Sequence, residues 1–328
     1  MGERTGERAG ERVVVAGAGG FIGRELVRAL RAQGDEVAVI GRSGAVTWDR
    51  PDAVAALVDG ADVLINLAGK SVNCRYTDRH RDEILRSRVD TTRQLREAVA
   101  RAARPPHLWL NASTATIYRH EMDAPNTEHD GTLGEGFSVD VARAWEAELF
   151  AGDLPATRRV ALRMAIVIGD GPATRMLLTL ARAGLGGPQI DGRWPRHRRY
   201  RGIGPRPTGE VRAAHHDTRG RQRFSWIHID DVLGAIGFLR ARADIAGPVN
   251  LASADPSDNR TLMRTLRRIV RAPFGLPAYR WMLEPAMWLL RTEPELVLKS
   301  RWVIPGVLTA AGYRFVRPDL EDALRSVR

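Results

Sequence analysis

The sequence predicts an α/β protein built on a parallel, doubly wound sheet. Three observations carry this: runs rich in Val, Ile and Leu alternate with helical segments from Arg12 to about residue 172, most runs are apolar at consecutive positions, and a Gly-rich turn joins the first run to the first helix. Strands apolar on both faces need helices on both faces to cover them.

In order, the expected elements are strand VVVAG (13–17), helix FIGRELVRALRAQG, strand EVAVIG (36–41), a short helix near 52–58 and strand DVLINLAG (62–69). A long helix from about Thr77 to Ala103 follows, then strand HLWLNAS (107–113), a helix around 138–151 and strand RRVALRMAIVIG (158–169). Beyond residue 172 the pattern loosens; RFSWIHI (223–229) and PVNLAS (248–253) read as further strands, and helices fill the tail. The resulting organisation is a leader (1–11) too polar and repetitive to fold, a Rossmann-type dinucleotide-binding domain (12–172, its sheet completed by 223–253), a substrate-side helix with an Arg-rich mobile insertion (173–222), and a smaller, mainly helical C-terminal substrate region (254–328).

Of 50 basic residues only Lys70 and Lys299 are lysine, and the net charge is +11. Between Arg193 and Arg223 ten arginines face Glu210 and Asp217, so this stretch alone carries +8. A nucleic-acid-binding face would spread its charge over a folded surface with aromatics among it, whereas this segment is rich in Gly and Pro. It reads as a solvated mobile flap or a phosphate-gripping lid, and nucleic-acid contact is the weaker alternative. The single cysteine, Cys74, excludes an internal disulfide, and no run approaches the apolar length of a membrane span. A cytoplasmic protein is expected. His215 and His216 lie in the mobile insertion without a supporting set of acidic ligands, so no metal site is expected.

The turn VVVAGAGGFIG places Gly17, Gly19, Gly20 and Gly23 between strand and helix. Such a loop lets the backbone approach a pyrophosphate and aims helix amides at it. At the tip of the second strand Gly41, Arg42 and Ser43 stand without an acid, which suits the 2′-phosphate of NADP(H) rather than the free ribose hydroxyl of NAD.

GAGGFIG, NLAG, STATIY, LRMAIVIG and WIHIDD occur in this order, and together the chain resembles the extended short-chain dehydrogenase/reductase superfamily, the epimerase and dehydratase group. NLAGKSVNCRYTDRHRDEILRSRVDTTRQL, GLGGPQ, GPVNLASADPSDNR and the tail RWVIPGVLTAAGYRFVRPDLEDAL are more narrowly similar to an atypical branch, epimerase-family oxidoreductases with a characteristic C-terminal domain. The resemblance implies that Gly17, Gly20, Phe21, Ile22 and Gly23 hold the pyrophosphate and that Arg42 and Ser43 hold the 2′-phosphate. It places Ala68 and Gly69 beside the adenosine ribose, Arg88 against the cofactor, and Ile166 and Val167 along the nicotinamide.

Reductases of this superfamily pair a Ser or Thr with a Tyr and a Lys four residues later; the cation lowers the phenol pKa and the phenol shuttles the proton. No Tyr-x-x-x-Lys exists here: the helix FSVDVARAWEAE, aligned on Trp145 and Glu146, has Ser138 and Ala142 at those positions. Thr114, with Ser113 before it, matches the catalytic hydroxyl. Tyr118, and Tyr76 beside Arg75, are the nearby acid or base candidates, although such hydroxyls also serve as backbone caps and such tyrosines as packing residues. His228, Asp230 and Asp231 read as a strand end with an aspartate N-cap. Two functions follow: an NADP(H)-dependent, epimerase-like oxidoreductase acting on an unidentified small molecule, an anionic one if the Arg-rich segment is a phosphate-gripping lid, or a non-catalytic NADP(H)-binding regulatory or scaffold protein.

Overall fold

The computed structural model describes residues 10–193, 216–289 and 295–327. Its first half runs β1 (Arg12–Ala16), α1 (Phe21–Ala32), β2 (Glu36–Gly41), β3 (Val46–Thr47), α2 (Pro51–Val58), β4 (Val63–Asn66), α3 (Asp78–Arg101), β5 (Leu108–Thr114), α4 (Phe137–Phe150) and β6 (Arg158–Met164). Then come β7 (Ile166–Ile168), α5 (Pro172–Arg182), β8 (Gln189–Ile190), β9 (Arg223–Phe224), β10 (Trp226–His228), α6 (Ile229–Ala241) and β11 (Gly247–Leu251). The tail contains β12 (Ser257–Asp258), α7 (Asn259–Val270), β13 (Ala278–Tyr279), α8 (Arg280–Leu289), α9 (Glu295–Leu298), α10 (Gly306–Ala310) and α11 (Leu320–Arg325).

Seven strands form one sheet in the order β11-β6-β5-β4-β1-β2-β3, and every pairing is parallel. The side chains explain the two covered faces. Val13 and Val15 of β1 join the core with Leu26 of α1 and Val232 of α6, while Val14 and Ala16 join the opposite core with Val54 of α2 and Leu95 of α3. This period-2 division repeats in β5, where Leu108 and Leu110 point one way and Trp109 the other. The chain winds in opposite directions from β1, so a crevice opens at the carboxyl ends of β1 and β4, the place where doubly wound sheets bind ligands.

Three expectations change. The apolar run 158–169 is two strands: Ala165 N still donates to Leu251 O at 2.9 Å, but Ile166 N donates to Ser225 O, and β7 leaves the main sheet to pair with β10. Of residues 223–253, only β11 therefore completes the seven-stranded sheet. The leader is held at its end, since Glu11 and Asp35 both pair with the buried Arg240 guanidinium, at 2.5 and 2.8 Å; residues 1–9 lie outside the described residues. The expected mobile insertion lies outside them only from 194 to 215. Residues 216–223 are packed, with His216 N donating to Asp191 Oδ2 at 2.9 Å and Thr218 Oγ1 donating to Gln222 Oε1 at 2.9 Å.

Candidate cofactor and active site

The glycine turn has two halves with different physical needs. A Cβ on Gly17, whose φ is +84°, would lie 2.6 Å from Ala68 N, and one on Gly23 would lie 2.6 Å from Gly17 O. These glycines let α1 and β4 approach the turn. Gly19 has nothing within 4 Å of a Cβ and Gly20 only Gly17 O at 3.9 Å, so both face open space. Gly20 is the N-cap of α1, which has no side-chain cap and no acidic residue in its first turn. An open glycine face beside an uncapped helix N-terminus fits a pyrophosphate, with its negative charge stabilised by the helix amides.

From this turn a cleft of about 360 Å³ extends between β4, β5, α3 and α4. It gathers Gly17, Gly20, Phe21, Ile22 and Gly23 with Ala68, Gly69, Arg88, Ser113 and Thr114, all of them singled out from the sequence. Arg42 and Ser43 are exposed at the tip of β2, and no carboxylate pairs with Arg42 among the described residues. Ile166 and Val167 do not line the cleft. They lie beyond the break at Ala165, Val167 packs against the core, and Met164 at the end of β6 forms the wall instead.

Ser138 and Ala142 of α4 also face the cleft, so the positions that the Tyr and Lys of related reductases occupy lie in the site, filled by a hydroxyl and a methyl. Thr114 Oγ1 accepts from Thr116 N at 3.1 Å, a cap on the turn that follows β5. Ser113 Oγ donates to Glu146 Oε1 at 2.6 Å. Glu146 is held in turn by Arg163 Nε and Nη2 at 2.9 and 2.7 Å.

Tyr118 does not face the cleft. It is buried, its hydroxyl donating to Asn250 Oδ1 and accepting from Arg163 Nη1, each at 2.9 Å. Burial raises its pKa against the pull of Arg163, which removes it as a ready proton donor. The chain of contacts continues to Glu128, whose Oε1 accepts from Asn250 N at 2.7 Å and whose Oε2 accepts from Val307 N at 3.3 Å; burial raises that carboxyl's pKa.

Glu146 and Arg163 are functional neighbours that sequence reasoning passed over. The signal was present: a carboxylate on the buried face of α4, among Val139, Ala142 and Leu149, and a cation inside the apolar run of β6. Charges in such places need one another.

His228, rather than an aspartate, caps α6: its Nδ1 accepts from Asp230 N at 3.2 Å, and burial lowers its pKa. Asp231 accepts from Val316 N and Arg317 N at 2.6 and 2.9 Å, fixing the tail. Among the described residues no group of three His, Cys, Asp or Glu is placed to hold a metal ion. Nor is any helix among them long and apolar enough to cross a membrane.

Residues 13–252 match the NAD dependent epimerase/dehydratase family. The chain belongs to this family. Residues 280–327 of this epimerase-family protein match a domain of unknown function, DUF1731. It is 30% identical over 326 residues to the epimerase family protein SDR39U1 of Bos taurus, covering 96% of this chain and 99% of that one. It is also 28% identical over 322 residues to the epimerase family protein YfhF of Bacillus subtilis, covering 95% and 96%. Among solved structures, human epimerase family protein SDR39U1 (isoform 2) with NADPH superposes with a TM-score of 0.79 at 27% identity, covering 96% of this chain and 98% of that one.

Proposed function

We propose that this epimerase-family protein is an NADP(H)-dependent oxidoreductase acting on a small molecule that carries a carbonyl or hydroxyl group and an anionic group. The observation that carries the reading is the open face of Gly19 and Gly20 at the uncapped start of α1, at one end of a cleft lined by Ser113, Thr114 and Arg88. The human relative in complex with NADPH supports the choice of dinucleotide, as does the exposed Arg42 at the ribose end of β2. When bound, the nicotinamide supplies the hydride chemistry. The protein's part is to hold the pyrophosphate at Gly20 to Gly23, grip the 2′-phosphate with Arg42, and orient a substrate oxygen near Ser113 and Thr114.

The second reading, a non-catalytic NADP(H)-binding regulatory or scaffold protein, is favoured by Ser138 and Ala142 at the two positions on α4 where a Tyr and a Lys are expected. With its single cysteine, the protein is assigned to the cytoplasm as part of the same proposal. Calorimetric titration with NADPH and NADH tests the common premise: NADPH binds at least tenfold more tightly, and equal affinities would sink the assignment. Turnover of NADPH with a panel of carbonyl acids then separates enzyme from scaffold.

A further inference from the structure

Two side chains from the segment between β4 and the middle of α3 reach the part of α4 that has lost its Tyr and Lys. Tyr76 lines the cleft and packs edge-on against Phe137, ring centres 5.0 Å apart, directly beside Ser138. Arg88 lines the same cleft with its Cζ 5.0 Å from the ring centre of Trp145, one turn beyond Ala142. Gly69 makes room for the guanidinium, because a Cβ there would lie 3.1 Å from Arg88 Cζ. Nη1 of Arg88 donates to Lys70 O and Ile84 O at 3.1 and 3.0 Å, and no carboxylate pairs with Arg88 among the described residues.

We propose that Tyr76 is the proton-transferring residue of this site and that Arg88 is the cation that activates it, the pair being supplied by the β4–α3 side of the cleft instead of by α4. The proposal rests on the oxidoreductase reading above. In the reducing direction, hydride delivered to a carbonyl carbon sends the C=O π pair onto oxygen; that oxygen takes the Tyr76 Oη proton, and the O–H bond pair stays on the phenolate beside Arg88. Water entering the cleft reprotonates the phenolate. A guanidinium is suited to this role because it remains cationic throughout the working pH range and favours the ionised phenol. Burial draws the Arg88 pKa down to about 10, with Tyr76 the foremost charge partner opposing the shift.

Other ionisable groups on the elements around Tyr76 include Cys74 and Arg75 on its own loop, Asp78 and Arg81 at the start of α3, the latter with its Cζ 5.7 Å from the Phe137 ring centre, and Asp140 in the first turn of α4. Arg75 and Arg81 act in the same direction as Arg88, whereas Asp78, Asp140 and an ionised Cys74 act against it.

Protein carrying ¹³Cζ-tyrosine, titrated by NMR without cofactor or substrate, tests the pair, with Tyr76→Phe identifying the resonance among the five tyrosines. Tyr76 is expected to titrate about one pH unit or more below the ordinary phenol value near 10, to rise by a similar amount in Arg88→Met, and to stay low in Arg88→Lys. Titration at or above about 10 in the wild type would overturn the proposal whether or not the variants fold, as would a Tyr76 that does not respond to Arg88→Met. Because the titration needs no dinucleotide, its failure is distinct from failure of the NADPH assignment.

Discussion

Ser113 gives its hydroxyl hydrogen to Glu146 at 2.6 Å, and Glu146 is clamped by two nitrogens of Arg163. The hydroxyl at the end of β5 is thus oriented before any ligand arrives: its proton is engaged behind the cleft wall, and its oxygen can accept from a substrate O–H. The same Arg163 holds Tyr118, so one buried cation sets the geometry of both residues.

Arg163→Met is expected to destabilise the protein by about 3–5 kcal/mol, because it leaves the Glu146 carboxylate buried without its cation. The pair is well sheltered, with side chains 8% and 11% exposed. Tyr118→Phe strands the Asn250 Oδ1 acceptor and the Arg163 Nη1 donor but leaves the Glu146–Arg163 ion pair intact, and should cost about 1–3 kcal/mol. Urea denaturation of both variants measures the difference. Equal and small losses would show that the network is not a structural unit.

Gly20→Val should weaken NADPH binding by more than tenfold while the melting temperature stays near that of the wild type. The added side chain enters open space, and the φ of −76° suits any residue. Gly23→Ala should do the reverse first, lowering the melting temperature, since its Cβ would sit 2.6 Å from Gly17 O. Thermal scans beside calorimetric titrations separate the two glycine roles.

Arg42→Ala is predicted to lower NADPH affinity by roughly 10-fold to 100-fold, the worth of one or two charge-assisted hydrogen bonds. NADH affinity should not change. A proportional loss for both dinucleotides would place Arg42 away from the 2′-phosphate.

Stability should fall as the pH drops from about 6.5 to about 4, in part through His120. Burial lowers its pKa to about 4, with His216 adding to the effect, and its Nδ1 accepts from Ser300 N at 3.0 Å. The unfolded chain takes up the proton near pH 6.5 while the folded chain resists it, so the stabilising contribution is complete above that window and is lost below it. His120→Gln should show a shallower loss of stability across the same range.

Replacing residues 195–214 with a short Gly-Ser linker is expected to leave the melting temperature near that of the wild type. Extending the replacement to residue 220 should lower it, because His216 N and Thr218 Oγ1 bond to Asp191 and Gln222, and Arg260 N donates to Gly220 O. Differential scanning calorimetry of the two replacements measures what residues 215–220 contribute to stability.

The amino-acid sequence by itself determined the doubly wound sheet and the cofactor end of the cleft. Both are written locally: apolar runs such as VVVA and VLIN need cover on both faces, and a strand, a glycine turn and a helix in succession build an anion cradle without long-range help. Tertiary structure alone decided which charges meet. Glu146 and Arg163 are 17 residues apart, and Tyr118 and Asn250 are 132 apart. No periodicity reports such pairings, although a charge on an apolar face announces that a partner must exist. The break at Ala165 was equally hidden, because the apolar residues Met164, Ala165 and Ile166 run straight through it and the two strands are told apart by their neighbours, β11 and β10. The proposed acid and its cation come from the segment between β4 and the middle of α3, and only the packing of that segment against α4 brings them to Phe137 and Trp145.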